Sequence, residues 1–309
     1  MRAIAVHEFG GAPVLVDVPK PLPGPGEVLV RLAAAGVNPF DRKVADGMMR
    51  GSMRHVFPLV LGIDGAGVVE EVGEGTTRFA PGDALFGTFF QEPAGVGTYA
   101  EYATAPETNP LALLPTGFDL VVAAALPTAG LTAVQLVDAL EPREGITLLL
   151  VGATGGVGQF VVQLAAAAGA RVVATGRPHD VERLLALGAA EVVDHTAGPL
   201  TGRVHGVDAI IDLVGDGAGF AANLPAVRLG GQALSTTFSA DADVLASRGV
   251  RGGNFETRGT AEALSRLAES VSDGGLIVPV EHRLPLAEAA AELARPRSTG
   301  ARGKTVVVI

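Results

Sequence analysis

The pattern of apolar and polar residues changes in character near Pro115. Before that residue, short apolar runs such as Val14–Val16 and Val28–Leu32 are separated by frequent Gly and Pro, a pattern typical of short strands joined by turns. Residues 1–110 are therefore predicted to form a compact β-rich barrel or sandwich. Further strands are predicted at Gly67–Gly73, Asp83–Gly87 and Tyr99–Tyr102.

After Pro115, helical and strand-like segments alternate. Ile146–Val151 and Val207–Val214 are continuous apolar runs, typical of strands buried on both faces of a parallel sheet. The alternation predicts a doubly wound α/β sheet. Helices are predicted at Leu120–Ala125, Leu131–Leu140, Val157–Ala168 and Val181–Leu187, and further strands at Arg171–Thr175, Glu191–Asp194 and Gly231–Thr237.

The tail, from about residue 276, returns to short strands and ends in the apolar run Lys304–Ile309. An apolar final strand needs a pairing partner, and the β-rich first part of the chain is the expected host. Two domains are therefore predicted: residues 1–120 with 268–309 form one, and residues 121–267 form the other.

Composition narrows the classes of function. The chain has 309 residues, a formal net charge of −10 and no Cys. The negative charge argues against nucleic acid or an anionic membrane as a partner, and the lack of Cys excludes disulfides and thiolate zinc sites. No uninterrupted apolar segment approaches the length of a transmembrane helix, and Met1–Glu8 does not read as a signal peptide. We expect a cytoplasmic protein that acts on a small molecule.

A Gly-rich turn follows the buried strand Ile146–Val151 and leads directly into an amphipathic helix. It comprises Gly152, Ala153, Thr154, Gly155, Gly156, Val157 and Gly158. In such a turn the glycines permit the bend, the close approach of a pyrophosphate and tight helix–strand packing, while the helix N-terminus presents free N–H groups. The turn therefore predicts a dinucleotide site, and Val214 at the end of a neighbouring strand is expected to line it.

The second strand of this domain ends in Thr175, Gly176 and Arg177, where NAD-selective sites have Asp or Glu. A guanidinium suits the 2′-phosphate of NADPH, so NADPH is the expected cofactor. The alternative is that Arg177 is a solvated loop residue.

Six segments in fixed order carry a family resemblance. They are Ala35–Lys43, Pro58–Val69, Gly97–Tyr102, Leu126–Ala133, the Gly-rich turn and Gly303–Lys304. Together they resemble the medium-chain dehydrogenase/reductase superfamily, in its zinc-free quinone oxidoreductase and alkenal/enone reductase branch. The resemblance covers nearly the whole chain. It implies a GroES-like substrate domain and a Rossmann domain with the nicotinamide in the cleft between them.

The same resemblance implies a site without metal. Zinc alcohol dehydrogenases of this superfamily have a catalytic Cys where this chain has Asn38 and a His where it has Ile63, and neither replacement ligates zinc tightly. Without a Lewis acid, alcohol oxidation loses the group that stabilises an alkoxide, whereas hydride addition to an enone or a quinone needs less help.

By matching position, Asn38 and Lys43 are expected to be catalytic. Asn38 is expected near the nicotinamide, and Lys43 near the nicotinamide carboxamide, its ribose or the substrate carbonyl. The alternative for Lys43 is a solvated loop lysine. Thr132 is expected near the nicotinamide and phosphates, although a cap at a helix start is the alternative. His195 is expected to stack on the adenine or to be simply exposed. Lys304 is expected at the cofactor phosphates or in solvent.

The leading interpretation is an NADPH-dependent, zinc-independent reductase that transfers hydride to α,β-unsaturated carbonyls or quinones and accepts an apolar small molecule. Two alternatives remain open: a natural-product tailoring enzyme that performs a dedicated enoyl reduction or a cyclisation, and a non-catalytic NADPH-binding regulator. A homodimer is expected through the edge of the Rossmann sheet, because Gly231–Phe238 and Val250–Phe255 read as strands near the end of that domain.

Overall fold

The computed structural model describes residues 1–141, 144–294 and 302–309. These divide into two compact units. The first unit contains Met1–Leu131, the described residues of Gly259–Thr299, and Lys304–Ile309. The second contains Thr132–Arg258 and the described residues of Gly300–Gly303. The boundaries predicted at residues 120 and 268 lie 11 and 9 residues inside the first unit.

The described part of the chain forms strands and α-helices in both units. The strands are β1 (Arg2–Val6), β2 (Val14–Asp17), β3 (Glu27–Gly36), β4 (Leu59–Val60), β5 (Asp64–Val72), β6 (Ala84–Thr88), β7 (Tyr102–Pro106), β8 (Leu111–Leu113), β9 (Thr147–Val151), β10 (Arg171–Gly176), β11 (Glu191–Asp194), β12 (Val207–Asp212), β13 (Val227–Ser235), β14 (Arg251–Asn254), β15 (Val280–Pro285) and β16 (Lys304–Val308). The helices are α1 (Pro39–Ala45), α2 (Leu120–Ala124), α3 (Pro127–Leu140), α4 (Gly156–Ala167), α5 (Val181–Ala186), α6 (Gly217–Asn223), α7 (Ala242–Ser247), α8 (Ala261–Ser272) and α9 (Ala289–Ala294). None of the described helices is both long enough and apolar enough to cross a membrane.

The first unit is β-rich, as the frequent Gly and Pro of its sequence predict. β1 pairs with β2 and with β4, and a larger sheet runs in the order β15-β16-β3-β5-β6-β8, with β7 also paired to β3. The apolar final strand β16 pairs antiparallel with β3, Val307 opposite Ala35. The prediction that the β-rich part of the chain hosts this strand is therefore confirmed.

The second unit contains a six-stranded sheet in the order β11-β10-β9-β12-β13-β14. All of its pairings are parallel, and the order is that of dinucleotide-binding Rossmann domains. The apolar run of β9 lies at the centre, and Leu148, Leu149 and Leu150 are buried. The predicted fold class, a GroES-like β-rich domain with a Rossmann domain, is thus confirmed.

Several elements differ from the sequence-based predictions. Tyr99 lies before β7, in a segment whose backbone bonds to Ile4, so the strand predicted from Tyr99 begins at Tyr102. β13 starts four residues before the predicted Gly231 and is paired on both sides, so the outer strand beside it is β14. Helix α1 was missed because it is only seven residues long and has no room for a helical repeat.

Candidate active site

The Gly-rich turn has the geometry that a dinucleotide turn requires. Gly152 has a φ of +88°, a conformation that side chains other than Gly rarely adopt. A Cβ on Gly158 would lie 2.3 Å from the Gly152 carbonyl oxygen, so only Gly lets α4 pack this closely on the turn. A Cβ on Gly155 would meet nothing closer than 3.6 Å. Gly155, at the N-terminus of α4, is therefore open on the side where a dinucleotide turn binds a pyrophosphate.

Neighbouring side chains hold this turn in place. The Thr175 hydroxyl accepts a hydrogen bond from the Gly152 N–H at 3.0 Å, and Thr175 is buried. The Gln159 amide donates to the Thr154 carbonyl oxygen at 2.7 Å. Ala153 is fully buried, whereas Thr154, Gly155, Gly156 and Val157 are half-buried. Thr175 and Ala153 were both expected at the cofactor. Because both are buried, they support the turn from the protein interior.

The exposed side of the turn faces the end of β12. Val214 follows that strand and is 65% exposed. Its side chain lies where a Cβ on Gly152 would approach it to 2.8 Å. Asp212 is buried, and its Oδ1 accepts from the backbone N–H groups of Val214 and Gly215. Val214 is therefore held at the edge of the predicted dinucleotide site.

Cationic side chains collect where β10 ends. Arg177 follows Gly176 directly and is half-buried. A carboxylate that the sequence analysis missed, Asp180, accepts from the Arg177 backbone N–H at 3.1 Å. Asp180 is buried and also pairs with Arg183 at 3.4 Å and Arg302 at 3.1 Å. This carboxylate is therefore already neutralised, and the arginines around it leave the end of β10 cationic.

His195 lies beside this cationic end. It follows β11, and its backbone N–H donates to the Gly176 carbonyl oxygen at 3.3 Å. The imidazole is exposed. The structure thus places His195 beside Gly176 at the end of β10. The exposed imidazole fits either alternative, so stacking on an adenine stays a prediction.

The first unit contains a buried polar cluster that the sequence did not predict. Asn38 ends the loop after β3 and precedes α1, and only 3% of it is exposed. Its Nδ2 donates to Asp64 at 2.8 Å, and its Oδ1 accepts from Lys304 Nζ at 2.6 Å. Asp64 also accepts from the Thr128 hydroxyl at 2.6 Å. Asp64 and Thr128 both lie in segments that carry the family resemblance, Pro58–Val69 and Leu126–Ala133. The sequence signal for this cluster was Asp64, a lone carboxylate inside the apolar run Pro58–Val69.

A second buried carboxylate, Asp41, is next to this cluster. Its Oδ2 accepts from the Asn38 backbone N–H at 2.7 Å and from the Tyr99 hydroxyl. Its Oδ1 has no hydrogen-bond partner among the described residues. Burial raises the pKa of Asp41 to about 7, although the hydrogen bonds from Tyr99 and Asn38 oppose the rise. Asp41 therefore ties the start of α1 to Tyr99.

Three expectations about site residues change in this light. Asn38 was expected to be catalytic near the nicotinamide; both ends of its amide are engaged inside the first unit, which favours a structural role for the side chain. Lys304 was expected at the cofactor phosphates, but it is 4% exposed and its ammonium contacts Asn38 and the Val37 carbonyl oxygen. Thr132 is the sixth residue of α3, so the helix-cap alternative is wrong, and its hydroxyl pairs with that of Thr257 at 2.7 Å. Lys43 is exposed on α1.

Comparison with known proteins agrees with both units. Residues 24–116 match the family of alcohol dehydrogenase GroES-like domains, and residues 187–307 match a family described as zinc-binding dehydrogenase. The chloroplast envelope quinone oxidoreductase homolog of Arabidopsis thaliana is 38% identical over 207 residues, which are 63% of this chain. The chain spans 61% of the length of that relative.

Solved structures resemble the chain over its full length. The quinone oxidoreductase of Coxiella burnetii is 28% identical with a TM-score of 0.91, covering 100% of this chain and 99% of that one. A mycobacterial protein solved in complex with NADPH is 30% identical with a TM-score of 0.87, covering 100% of both chains.

The zinc implied by the second family does not fit the residues present. Zinc sites use thiolate, imidazole or carboxylate ligands, and no group of three His, Asp or Glu side chains in the described ranges could hold a metal ion. At the position matched to the catalytic Cys, the Asn38 oxygen accepts from the Lys304 ammonium, a fixed cation that repels a second one.

The GroES-like match lies within the first unit, the zinc-binding dehydrogenase match spans parts of both units, and the structural neighbours cover the whole chain. The family predicted from the six sequence segments is therefore confirmed, and the chain belongs to the medium-chain dehydrogenase/reductase superfamily, in its quinone oxidoreductase branch.

Proposed function

We propose that this chain is an NADPH-dependent, zinc-independent reductase of α,β-unsaturated carbonyl compounds or quinones. The observation that carries the proposal is the Gly-rich turn, because Gly152, Gly155 and Gly158 leave a backbone cradle at the N-terminus of α4. The quinone oxidoreductases among its relatives support the choice of substrate class.

NADPH, and not NADH, is the proposed cofactor because of the charges at the end of β10. Arg177 follows the strand directly, and Arg183 and Arg302 flank Asp180. NADH-selective sites use a carboxylate at this end to accept a hydrogen bond from the 2′-hydroxyl. Asp180 is buried and bonded to two arginines, so it is not available for that role. Guanidinium groups bind a phosphate with charge-assisted hydrogen bonds.

In this proposal, the residues of the second unit bind and orient the cofactor. The Gly-rich turn and the first N–H groups of α4 bind the pyrophosphate, Arg177 binds the 2′-phosphate, and Val214 packs beside the exposed side of the turn. When bound, the reduced nicotinamide supplies a hydride.

Lys43 is the cation that we assign to the substrate. Lys43 is exposed on α1, and we assign it to donate a hydrogen bond to the oxygen on which negative charge develops as the β-carbon of an enone is reduced. Solvent supplies the proton that the α-carbon receives. Asn38 holds the start of α1 through its buried contacts and does not touch the substrate.

A homodimer through the edge of the Rossmann sheet also remains a proposal. β14 is an outer strand of that sheet in the described part of the chain. An outer strand presents unpaired backbone groups, which a second copy of the same strand can pair across a two-fold axis.

The test is turnover with a panel of enones, alkenals and quinones, using 4R- and 4S-deuterated NADPH and mass analysis of the products. We expect one isotopomer to deliver deuterium to the substrate. Arg177→Ala should weaken NADPH binding by roughly 10- to 100-fold, the value of a charge-assisted contact, and leave NADH binding nearly unchanged. Tight NADPH binding without transfer of deuterium to any compound contradicts the reductase function. A product of unchanged mass would instead favour cyclisation, and binding without any product would favour a regulator.

A further inference from the structure

One buried ammonium joins several segments of the first unit. Lys304 begins β16 and is 4% exposed. Its Nζ donates to the Val37 carbonyl oxygen at 2.9 Å and to Asn38 Oδ1 at 2.6 Å. The same Nζ lies 3.8 Å from Asp64 Oδ2. The Lys304 ammonium is therefore buried and hydrogen-bonded within the first unit.

Asp64 completes the cluster and links it to a second helix. It is fully buried and begins β5. Its carboxylate accepts from Asn38 Nδ2 at 2.8 Å, from the Thr128 backbone N–H at 3.0 Å and from the Thr128 hydroxyl at 2.6 Å. Thr128 is the second residue of α3, where a carboxylate stabilises a helix start.

The cluster fixes the orientation of the Asn38 side chain. Its amide oxygen must face the donor Lys304, and its amide nitrogen must face the acceptor Asp64. Burial raises the pKa of Asp64, and the Lys304 ammonium opposes that rise. A buried pair of this kind is sensitive to the loss of either partner, because the remaining charge is then left without compensation.

Resting on the reductase function above, we propose that Lys304 is a positioning residue. Its ammonium fixes the Asn38 amide, and Asn38 fixes the start of α1, the helix that carries Lys43. Lys304 thus acts on the reaction through α1, without touching cofactor or substrate. Asp64 transmits the same constraint to the start of α3.

A pair of variants separates positioning from charge compensation. Lys304→Met removes the ammonium and leaves the Asp64 carboxyl without its counter-charge, whereas the double variant Lys304→Met/Asp64→Asn removes both partners of the buried pair but frees the Asn38 amide to rotate. The matched control is Lys20→Met, since Lys20 is half-exposed and its partners Glu70, Glu71 and Tyr102 lie outside α1.

We expect Lys304→Met to lower kcat by roughly 10- to 100-fold, the cost of a small misplacement of catalytic groups, while the Kd for NADPH changes by less than about twofold. The double variant should regain most of the lost Tm but not the lost kcat. Lys20→Met should leave kcat at the wild-type value. Recovery of kcat together with Tm in the double variant would overturn the proposal, because Lys304 would then only compensate the charge of Asp64.

Hydrogen exchange gives a readout that does not need turnover. In the double variant, amides of α1 should exchange faster than in the wild type, while those of β9 and α4 in the second unit stay unchanged. Equal protection of α1 in both proteins would refute positioning, even if Lys304→Met alone failed to fold. If the wild type reduces no enone or quinone but α1 loses protection as expected, the reductase function fails and the structural role of Lys304 stands.

Discussion

Replacing Asp41 by Asn tests whether a buried carboxylate makes the first unit sensitive to pH. In the wild type, Asp41 is 1% exposed and accepts two hydrogen bonds on Oδ2. An Asn oxygen can accept the same two bonds from Asn38 and Tyr99. Asp41→Asn therefore keeps the contacts and removes the charge that burial disfavours.

The sign and size of the effect follow from the pKa of Asp41. Burial raises that pKa from 3.8 to about 7, so between these pH values the folded protein holds a proton that the unfolded chain has released. The free energy of unfolding then falls as pH rises from about 4 to 7. For this group the loss between pH 5 and pH 8 is roughly 2.5 kcal/mol. Asp41→Asn lacks this contribution.

The assay is urea unfolding followed by circular dichroism, for the wild type and Asp41→Asn, at pH 5 and pH 8. We expect Asp41→Asn to gain stability relative to the wild type as pH rises, by roughly 2.5 kcal/mol. Asp46→Asn removes a carboxylate from the exposed end of the same helix and is the control for a generic charge effect. Equal pH dependence of the wild type and Asp41→Asn would refute the reasoning.

Three further expectations concern the site and the assembly. Gly158→Ala should lower Tm, because its Cβ would lie 2.3 Å from a carbonyl oxygen. Gly155→Ala, whose Cβ would have 3.6 Å of clearance, should keep the wild-type Tm and lose NADPH affinity. Equal effects of the two variants on Tm and on affinity would contradict the assignment of Gly155 to the pyrophosphate. Lys43→Ala should lower kcat and kcat/KM together, the pattern of a contact made in the transition state, and a change confined to the KM for NADPH would make Lys43 a cofactor contact. Light scattering at micromolar concentration should give the mass of a dimer, and a monomer mass would reject pairing through β14.

The parts of this molecule that local sequence dictates could be predicted, and the parts that depend on distant pairing could not. The Gly-rich turn was found because a buried strand, a glycine pattern and a helix adjoin one another along the chain. Lys304 was misplaced because its neighbours, Asn38 and Asp64, lie more than 230 residues away in the sequence. Asp180 was missed although it lies close to Arg177 in the sequence. It comes three residues later, and a turn brings its carboxylate back to the Arg177 backbone N–H.

The pairing of β16 with β3 has a consequence for the order of events during synthesis. Val306 pairs with Gly36, 270 residues earlier, so a ribosome that adds 5–20 residues per second makes β3 roughly 15 to 50 s before its partner. The second unit can fold within that interval, while the first still lacks a strand of its larger sheet. Until Lys304 emerges, Asp64 also has no ammonium beside it. The nascent chain therefore carries the complete six-stranded sheet of the second unit while the larger sheet of the first unit still lacks β16, and chaperones that bind incomplete sheets can act at that stage.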